Sequence, residues 1–281
     1  MKKYTTISIS LLALCLVFSC KEKQDASKIV TPVADNTEVI TTPKFENKGQ
    51  EVVYNMLQKV GDYQLLRSKH DVVYTNTYQT PDGKTDRSVE KYIFEGELSY
   101  GAYQQHERAY PKMEGLIEQG YDGNEYWLKH EGKILDDEKS LKRVVFGRPT
   151  NFYWFCMLQK LMDPGLTYEY LGEKNMEDKM YDVVKISFDF KSDKPTDIYQ
   201  IYVNKKTSLV DQFLFTVADF GRMDPLLMQV TYEKVDGIMI PTKRKYKASN
   251  WEADVNDEPW VSVQWSDIKF NNNLSKKDFM K

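Results

Sequence analysis

Between residues 71 and 270 apolar and polar side chains alternate in short runs, and most runs end at turn-forming residues. A period of two places successive side chains on opposite faces of an extended chain, so the pattern predicts strands with one buried face. "DVVYTNTYQ" (71–79) leads through "TPDGK" into "SVEKYIFEGELSY" (88–100), which reads as a hairpin. Residues 115–135 repeat the device around Asp122-Gly123 and Glu131-Gly132. In residues 181–190, Val184, Ile186, Phe188 and Phe190 face one way while Lys185, Ser187 and Asp189 face the other. "DIYQIYV" (197–203) and "SLVDQFLFTV" (208–217) flank "NKKT", residues 227–249 turn at Asp236-Gly237, and "WVSVQWSDIKF" (260–270) closes the series. About ten antiparallel strands exceed what an open twisted sheet usually carries flat. The expected fold class is therefore mainly β with helices (α+β): an antiparallel incomplete β-barrel with helices covering its mouth.

Three segments break the alternation. Val52, Val53, Met56, Leu57 and Val60 recur at helical spacing before Gly61, which predicts a helix over 51–60. Residues 136–146 are a second helical candidate. "TNFYWFCMLQKLMDPG" (150–165) predicts a third, capped by Thr150 or Asn151 and stopped by Pro164-Gly165. Its Tyr153, Trp154, Phe155, Met157, Leu158, Leu161 and Met162 cover an arc of roughly 200°, leaving Gln159, Lys160 and Cys156, with Phe152 among them, as the wet side. A stripe that wide suits a helix buried on two sides or one that covers a hollow.

The N-terminus sets the compartment. Lys2 and Lys3 precede an apolar run from Ile7 to Phe18 that is too short to span a bilayer, and Ser19 stands before Cys20. These residues resemble the signal of a bacterial lipoprotein, in which a small residue precedes a cysteine that is lipidated and becomes the new N-terminus. The resemblance implies a signal peptide over 1–19, a lipidated Cys20 with a flexible tether over 20–48, and one half-barrel domain over 49–281. It makes Cys20 the chain's contact with a membrane. Lys21, which is not the Asp that often marks inner-membrane retention, points to the outer membrane, with the envelope as the place of work. Without the leader the chain carries 37 basic and 42 acidic residues, a charge of −5, which lacks the footprint of a nucleic-acid binder. Only Cys20 and Cys156 then remain, and with the Cys20 thiol blocked by its lipid no intramolecular disulfide is expected to support the fold.

Candidate chemistry is sparse. Ser88 and Lys91 have S-x-x-K spacing but lie in strand pattern, where they do not meet over one helical turn. His70, His106 and His130 stand 36 and 24 residues apart and carry no metal-ligand spacing, so no metal or cofactor is expected. The acidic groups at 136–138 and at Asp254, Asp257 and Glu258 lack calcium-loop spacing. Glu95 and Glu97, two apart in a predicted strand, are the one carboxylate pair available for acid–base work.

"FEGELSYGAY", "YDGNEYW", "NFYWFCMLQKLMDPGLTYEYLG", "TDIYQIYVNKKTSLVDQFLFTV", "YEKVDGIMIPTKRKY" and "SDIKFNN" resemble an uncharacterised family of bacterial lipoproteins, over most of residues 50–281. The order of curved sheet, helical insertion and "VDG…P" hairpin is similar in layout to the lipoprotein-localisation carriers and receptors. That likeness implies an incomplete barrel with helices plugging its mouth and acyl chains bound inside. On this expectation the chain binds a lipid, an acyl chain or a lipidated protein without catalysis. Phe152, Trp154, Phe155, Met157 and Leu158 would form the lid, and Phe188, Phe190, Phe213, Phe215, Val230 and Tyr232 the wall. Two other readings stay open: an assembly module presenting Trp251 and Trp260 beside an acidic loop, and a glycan-acting enzyme built on Glu95 and Glu97.

Overall fold

Thirteen strands form one antiparallel sheet in a computed structural model that describes residues 43–188 and 195–281. In chain order they are β1 (Asp71–Gln79), β2 (Thr85–Ile93), β3 (Leu98–His106), β4 (Ile117–Tyr121), β5 (Tyr126–His130), β6 (Lys133–Leu135), β7 (Leu166–Met176), β8 (Lys179–Phe188), β9 (Ile198–Asn204), β10 (Val210–Val217), β11 (Arg222–Val235), β12 (Ile238–Ala248) and β13 (Val261–Phe270). Each strand pairs with its sequence neighbour, except that β1 pairs with β13 and the sheet is cut between β6 and β7. The first and last strands thus lie side by side in mid-sheet, and the ends of the sheet are the strands that flank the central helix.

The count exceeds the expected ten for local reasons. Residues 88–100 do not form one strand: a 3-10 turn at Glu95–Glu97, with Gly96 at φ 74° and Glu97 at φ 53°, separates β2 from β3. β7 is an edge strand whose exposed positions, Thr167, Glu169, Leu171, Glu173 and Asn175, are mostly polar, and its turn to β8 uses Glu177 and Asp178 at φ 49° and 63°. Left-handed turn positions normally advertise themselves with Gly or Asn. This hairpin has neither, so its signal is weak. The β11–β12 hairpin is the opposite case, with Gly237 at φ 90° behind Asp236 at φ 47°.

Three α-helices accompany the sheet among the described residues. α1 (Lys48–Val60) is capped by Asn47, whose side chain accepts from the Gln50 N–H at 3.0 Å, and ends at Gly61. It lays Val52, Val53, Met56, Leu57 and Val60 onto β7, β8 and β12. α2 (Tyr63–Arg67) is a short turn capped by Asp62. α3 runs unbroken from Glu138 to Cys156, capped by Asp137. The two helices expected over 136–146 and 150–165 are therefore one, and residues beyond Cys156 continue as turns. Pro149 lies inside α3 and removes one backbone donor, while the Thr150 hydroxyl donates to the Phe146 carbonyl at 2.6 Å.

α3 dictates the curvature. Thirteen strands at about 4.8 Å spacing would make a flat sheet about 60 Å wide, whereas a helix with its side chains is only about 10–12 Å across. Yet α3 packs on β3, β4 and β5, while its Trp154 ring meets Phe213 and Phe215 of β10 (centroids 6.1 and 5.1 Å apart). The sheet must bend around it. Val144, Arg148, Phe152, Phe155 and Cys156 form its buried face, so the wet side expected at Phe152 and Cys156 is core, and Gln159 is buried too. Phe155 sits among Tyr74, Trp265, Tyr92, Phe94 and Phe270, with ring centroids 5.0–6.4 Å away.

The Arg148 guanidinium is completely buried and its Nη1 donates to Glu90 Oε2 at 2.8 Å. Glu90 also accepts from the Ser88 hydroxyl (2.6 Å) and the Tyr92 hydroxyl (3.1 Å). Gly101 makes room for this pair, since a Cβ there would stand 2.5 Å from Arg148 Nη1. Removing one partner of a buried ion pair costs about 3–5 kcal/mol because the other is left uncompensated. Glu90→Leu and Arg148→Met should each lower the urea-unfolding free energy by about that amount. The double variant Glu90→Leu with Arg148→Met should lose less than the sum of the single losses.

Candidate functional site

α3 is tightly packed on one side and stands off the sheet on the other. Val145, Phe146, Pro149, Thr150, Tyr153 and Trp154 recur at helical spacing and border a cavity of about 640 Å³. Most of the rest of the lining comes from nine strands, with Asp86 of β2 and Tyr103 of β3 among it. Tyr74, Asn76 and Tyr78 project from β1, Val263 and Trp265 from β13, and Arg244 and Tyr246 from β12. Leu226 and Met228 of β11, Phe215 and Val217 of β10, Tyr199 of β9 and Phe188 of β8 continue it. At the rim the Phe146 ring meets Phe220, which is 70% exposed, at 4.8 Å.

Of the residues expected to form lid and wall, the cavity gathers Trp154, Phe188 and Phe215. Phe152 and Phe155 are buried in the aromatic cluster behind the helix. Met157, Leu158 and Phe213 lie in the core under α1, with Val230 and Tyr232 packed at its border, and the Tyr232 hydroxyl donates to the Val210 carbonyl at 2.8 Å. These seven are not lining residues. Phe190 and Cys20 lie outside the described residues. The interior is therefore solid at the α1 end and hollow at the other.

Sequence reasoning missed Tyr74, Tyr78, Arg244, Tyr246 and Trp265 because their strands meet through the β1–β13 pairing, in which Asn76 stands opposite Trp265 across 189 residues. A signal existed on β12. Lys243 and Lys245 are exposed, while Thr242 and Arg244 are 1% and 7% exposed, so a basic residue falls on the inward register.

The cavity is aromatic with a few set polar groups. The Tyr78 and Tyr246 hydroxyls bond each other, and the Arg108 guanidinium lies 4.2 Å over the Tyr78 ring while pairing with Asp86 at 3.2 Å. Asp197 accepts from the Ala218 N–H at 2.7 Å, and burial holds its carboxyl above the usual range. Arg244 is buried without a carboxylate partner among the described residues, and burial pulls it down to about 9.

The remaining chemical candidates serve structure. Glu95 and Glu97 sit on the 3-10 turn, not in a strand, with side chains 78% and 51% exposed and paired to Arg67 and Lys160 respectively. They do not converge in a cleft. Each histidine hydrogen-bonds a backbone carbonyl, and Ser88 is bound to Glu90. Trp251 and Trp260 are half-buried over the Tyr181, Val183, Tyr202, Leu214 and Leu227 cluster, on the face of the sheet opposite the α1 core.

A family model described as "Family of unknown function (DUF6503)" matches residues 122–224, from the β4–β5 turn into β11. No curated protein matches the chain. Among solved structures it is similar to a LolA superfamily protein of Nitrosomonas europaea (14% identity, 83% of this chain and 97% of that chain, TM-score 0.47). It is likewise similar to a DUF1329 family protein of Desulfovibrio piger (14%, 83% and 95%, 0.48). An outer membrane lipoprotein-sorting protein domain of Vibrio parahaemolyticus matches at 11% identity over 83% of this chain and 96% of that one, with a TM-score of 0.48.

The buried phenols make stability sensitive to alkali. Burial pushes Tyr153 up to about 12 and raises Tyr74, Tyr92 and Tyr199 well above their ordinary value. Unfolded tyrosines ionise near pH 10, so above that pH the folded state keeps protons that the unfolded state loses, and stability falls. Arg244 acts in the opposite sense above pH 9, but one arginine is outweighed by several tyrosines. The urea midpoint should fall from about pH 10 to pH 12, with part of the tyrosinate absorbance appearing only on unfolding.

Proposed function

We propose that this protein is a lipid-anchored envelope protein that holds one amphiphilic, acyl-chain ligand in the cavity between α3 and the sheet, without catalysis. The observation that carries this reading is the 640 Å³ hollow itself. It lies beside a core in which Phe152, Phe155, Met157 and Leu161 are almost completely buried, so it is not a symptom of loose packing. Its size lies in the range of small-molecule sites, and mostly apolar and aromatic walls with a few fixed polar groups are the composition such sites use. At about 25 cal/mol per Å², burying about 200 Å² of hydrocarbon contributes about 5 kcal/mol, enough to hold an acyl chain.

The N-terminal reading supplies the location. Cys20 would carry the anchor, and the tether would end before residue 44, since Asn47 and Lys48, expected in the tether, already cap and open α1 of the ligand-holding domain. Each buried methylene of an acyl anchor adds about 0.8 kcal/mol, so two or more chains would keep the domain at the membrane where its ligand is made or delivered.

Protein prepared without detergent should show a bound amphiphile by native mass spectrometry, and emptied protein should take up a fluorescent fatty acid. Leu226→Trp, which projects bulk into the cavity, should reduce uptake at least tenfold while the far-ultraviolet circular dichroism stays unchanged. An emptied wild-type protein that takes up no acyl probe would defeat the proposal.

A further inference from the structure

Two arginines and three aspartates (Asp86, Asp197 and Asp219) border the cavity, and the two arginines are held differently. Arg108 is half-exposed at the rim, paired with Asp86 and stacked on Tyr78. Arg244 is set into the wall, 7% exposed, and no carboxylate lies within ion-pair distance of it among the described residues. Its Nε donates to the Pro241 carbonyl and its Nη2 to the Trp154 carbonyl, both at 3.1 Å. Its Cζ lies 3.6 Å from the centroid of the Trp265 ring, which it covers. Two carbonyl dipoles and a ring face orient the guanidinium but leave its charge uncompensated, and Nη1 has no acceptor among the described residues. An uncompensated buried charge opposes folding, unlike the paired Arg148 on the other side of the same helix. Folds keep such a breach of polar pairing where function uses it.

The surroundings complete a receptor. Tyr246 lies two residues along the same strand face, and its hydroxyl is joined to that of Tyr78. Two hydroxyls bonded to each other use one of their two protons, so the pair has one proton left for an acceptor in the cavity. A planar guanidinium with spare N–H groups suits a carboxylate or phosphate, which it binds through charge-assisted hydrogen bonds.

We propose that Arg244 is the anion receptor of this cavity and that the ligand is an anionic amphiphile. Its carboxylate or phosphate head pairs with the guanidinium, and its hydrocarbon chain runs along Trp154, Phe215, Leu226 and Met228 toward the rim at Phe146 and Phe220. This inference rests on the ligand-holding reading above and adds the chemistry of the head.

The test uses the full chain carrying Cys20→Ser, so that no acyl group of its own competes, and three displacers of a fluorescent acyl probe. These are hexadecanoic acid, its lysophosphatidate, and hexadecanol. In the parent protein the better anion should displace the probe at least about tenfold more effectively than the alcohol. Arg244→Met should erase that preference by weakening the anions and leaving the alcohol unchanged, and Arg244→Lys should restore part of it. Which anion binds better identifies the source, a free fatty acid or a phospholipid derivative. If Arg244→Met does not fold, the head preference of the parent and of Arg244→Lys decides. Equal displacement by acid, lysophosphatidate and alcohol in the parent, or a preference that survives Arg244→Met, overturns the inference while leaving the acyl-binding reading intact. Failure of all three to displace or bind overturns both.

Discussion

The pair between Glu90 on β2 and Arg148 on α3 determines where the interior is full and where it is empty. It joins residues 58 apart in sequence at 2.8 Å, with both side chains out of water. Desolvating both charges is tolerable only because the geometry is close and the carboxylate has further donors in Ser88 and Tyr92. Gly101 is part of the same device, since any side chain there would displace the guanidinium. The helix is thereby held to β2 and β3. Phe152 and Phe155 extend the attachment with an aromatic cluster on the same side. What faces the other way is not drawn in, and the space between α3 and strands β8–β13 stays open.

The two faces of α3 differ in chemistry as well as packing. Toward β2–β5 the buried charge is neutralised, and the carboxylate that pairs with Arg148 comes from the sheet itself, although Arg148 Nε has no hydrogen-bond partner among the described residues. Toward the cavity the contact made by Arg244 is with a backbone carbonyl of the helix, at Trp154. One arginine has its charge neutralised by the fold, and the other is oriented by it and left with charge to spare. This asymmetry separates a structural buried cation from a receptive one, and composition alone does not reveal it.

The sheet is also covered on the face opposite its α1 core. Residues 249–260 fold over it, with Lys185 near the Trp251 ring, and Lys245 and Lys247 near the Trp260 ring. The Lys247 ammonium donates to the Glu258 carbonyl at 2.8 Å. These contacts use the two tryptophans to shield Tyr202 and Leu214, so the aromatic surface that a binding patch would need is occupied by the protein's own strands. The edges of the sheet are blunted in familiar ways. β6 is three residues long, and β7 presents Glu169, Glu173 and Lys174.

Much of the architecture was legible before any coordinates, because hairpins are local. Alternation together with Asp122-Gly123, Glu131-Gly132 and Asp236-Gly237 marks strands and their partners within a dozen residues, and Gly61 marks the end of α1. Where the local marker is missing, as at Glu177-Asp178, the strand before it goes unread. The site was much less legible. Trp154, Phe188 and Phe215 line the cavity, but Phe152 and Phe155, equally aromatic and on the same helix, are core. Aromatic character marks burial and does not tell burial against protein from burial around a hollow.

By itself the sequence determined an antiparallel series of hairpins interrupted by a helical insertion, since turn chemistry and side-chain period act over a few residues. Only the tertiary structure decided that the first strand pairs with the last, that α3 turns its Arg148 face to the sheet, and that Arg244 meets a hollow. Those outcomes depend on residues 58 to 189 positions apart, brought together by the burial of apolar surface and the pairing of buried charge across the whole domain.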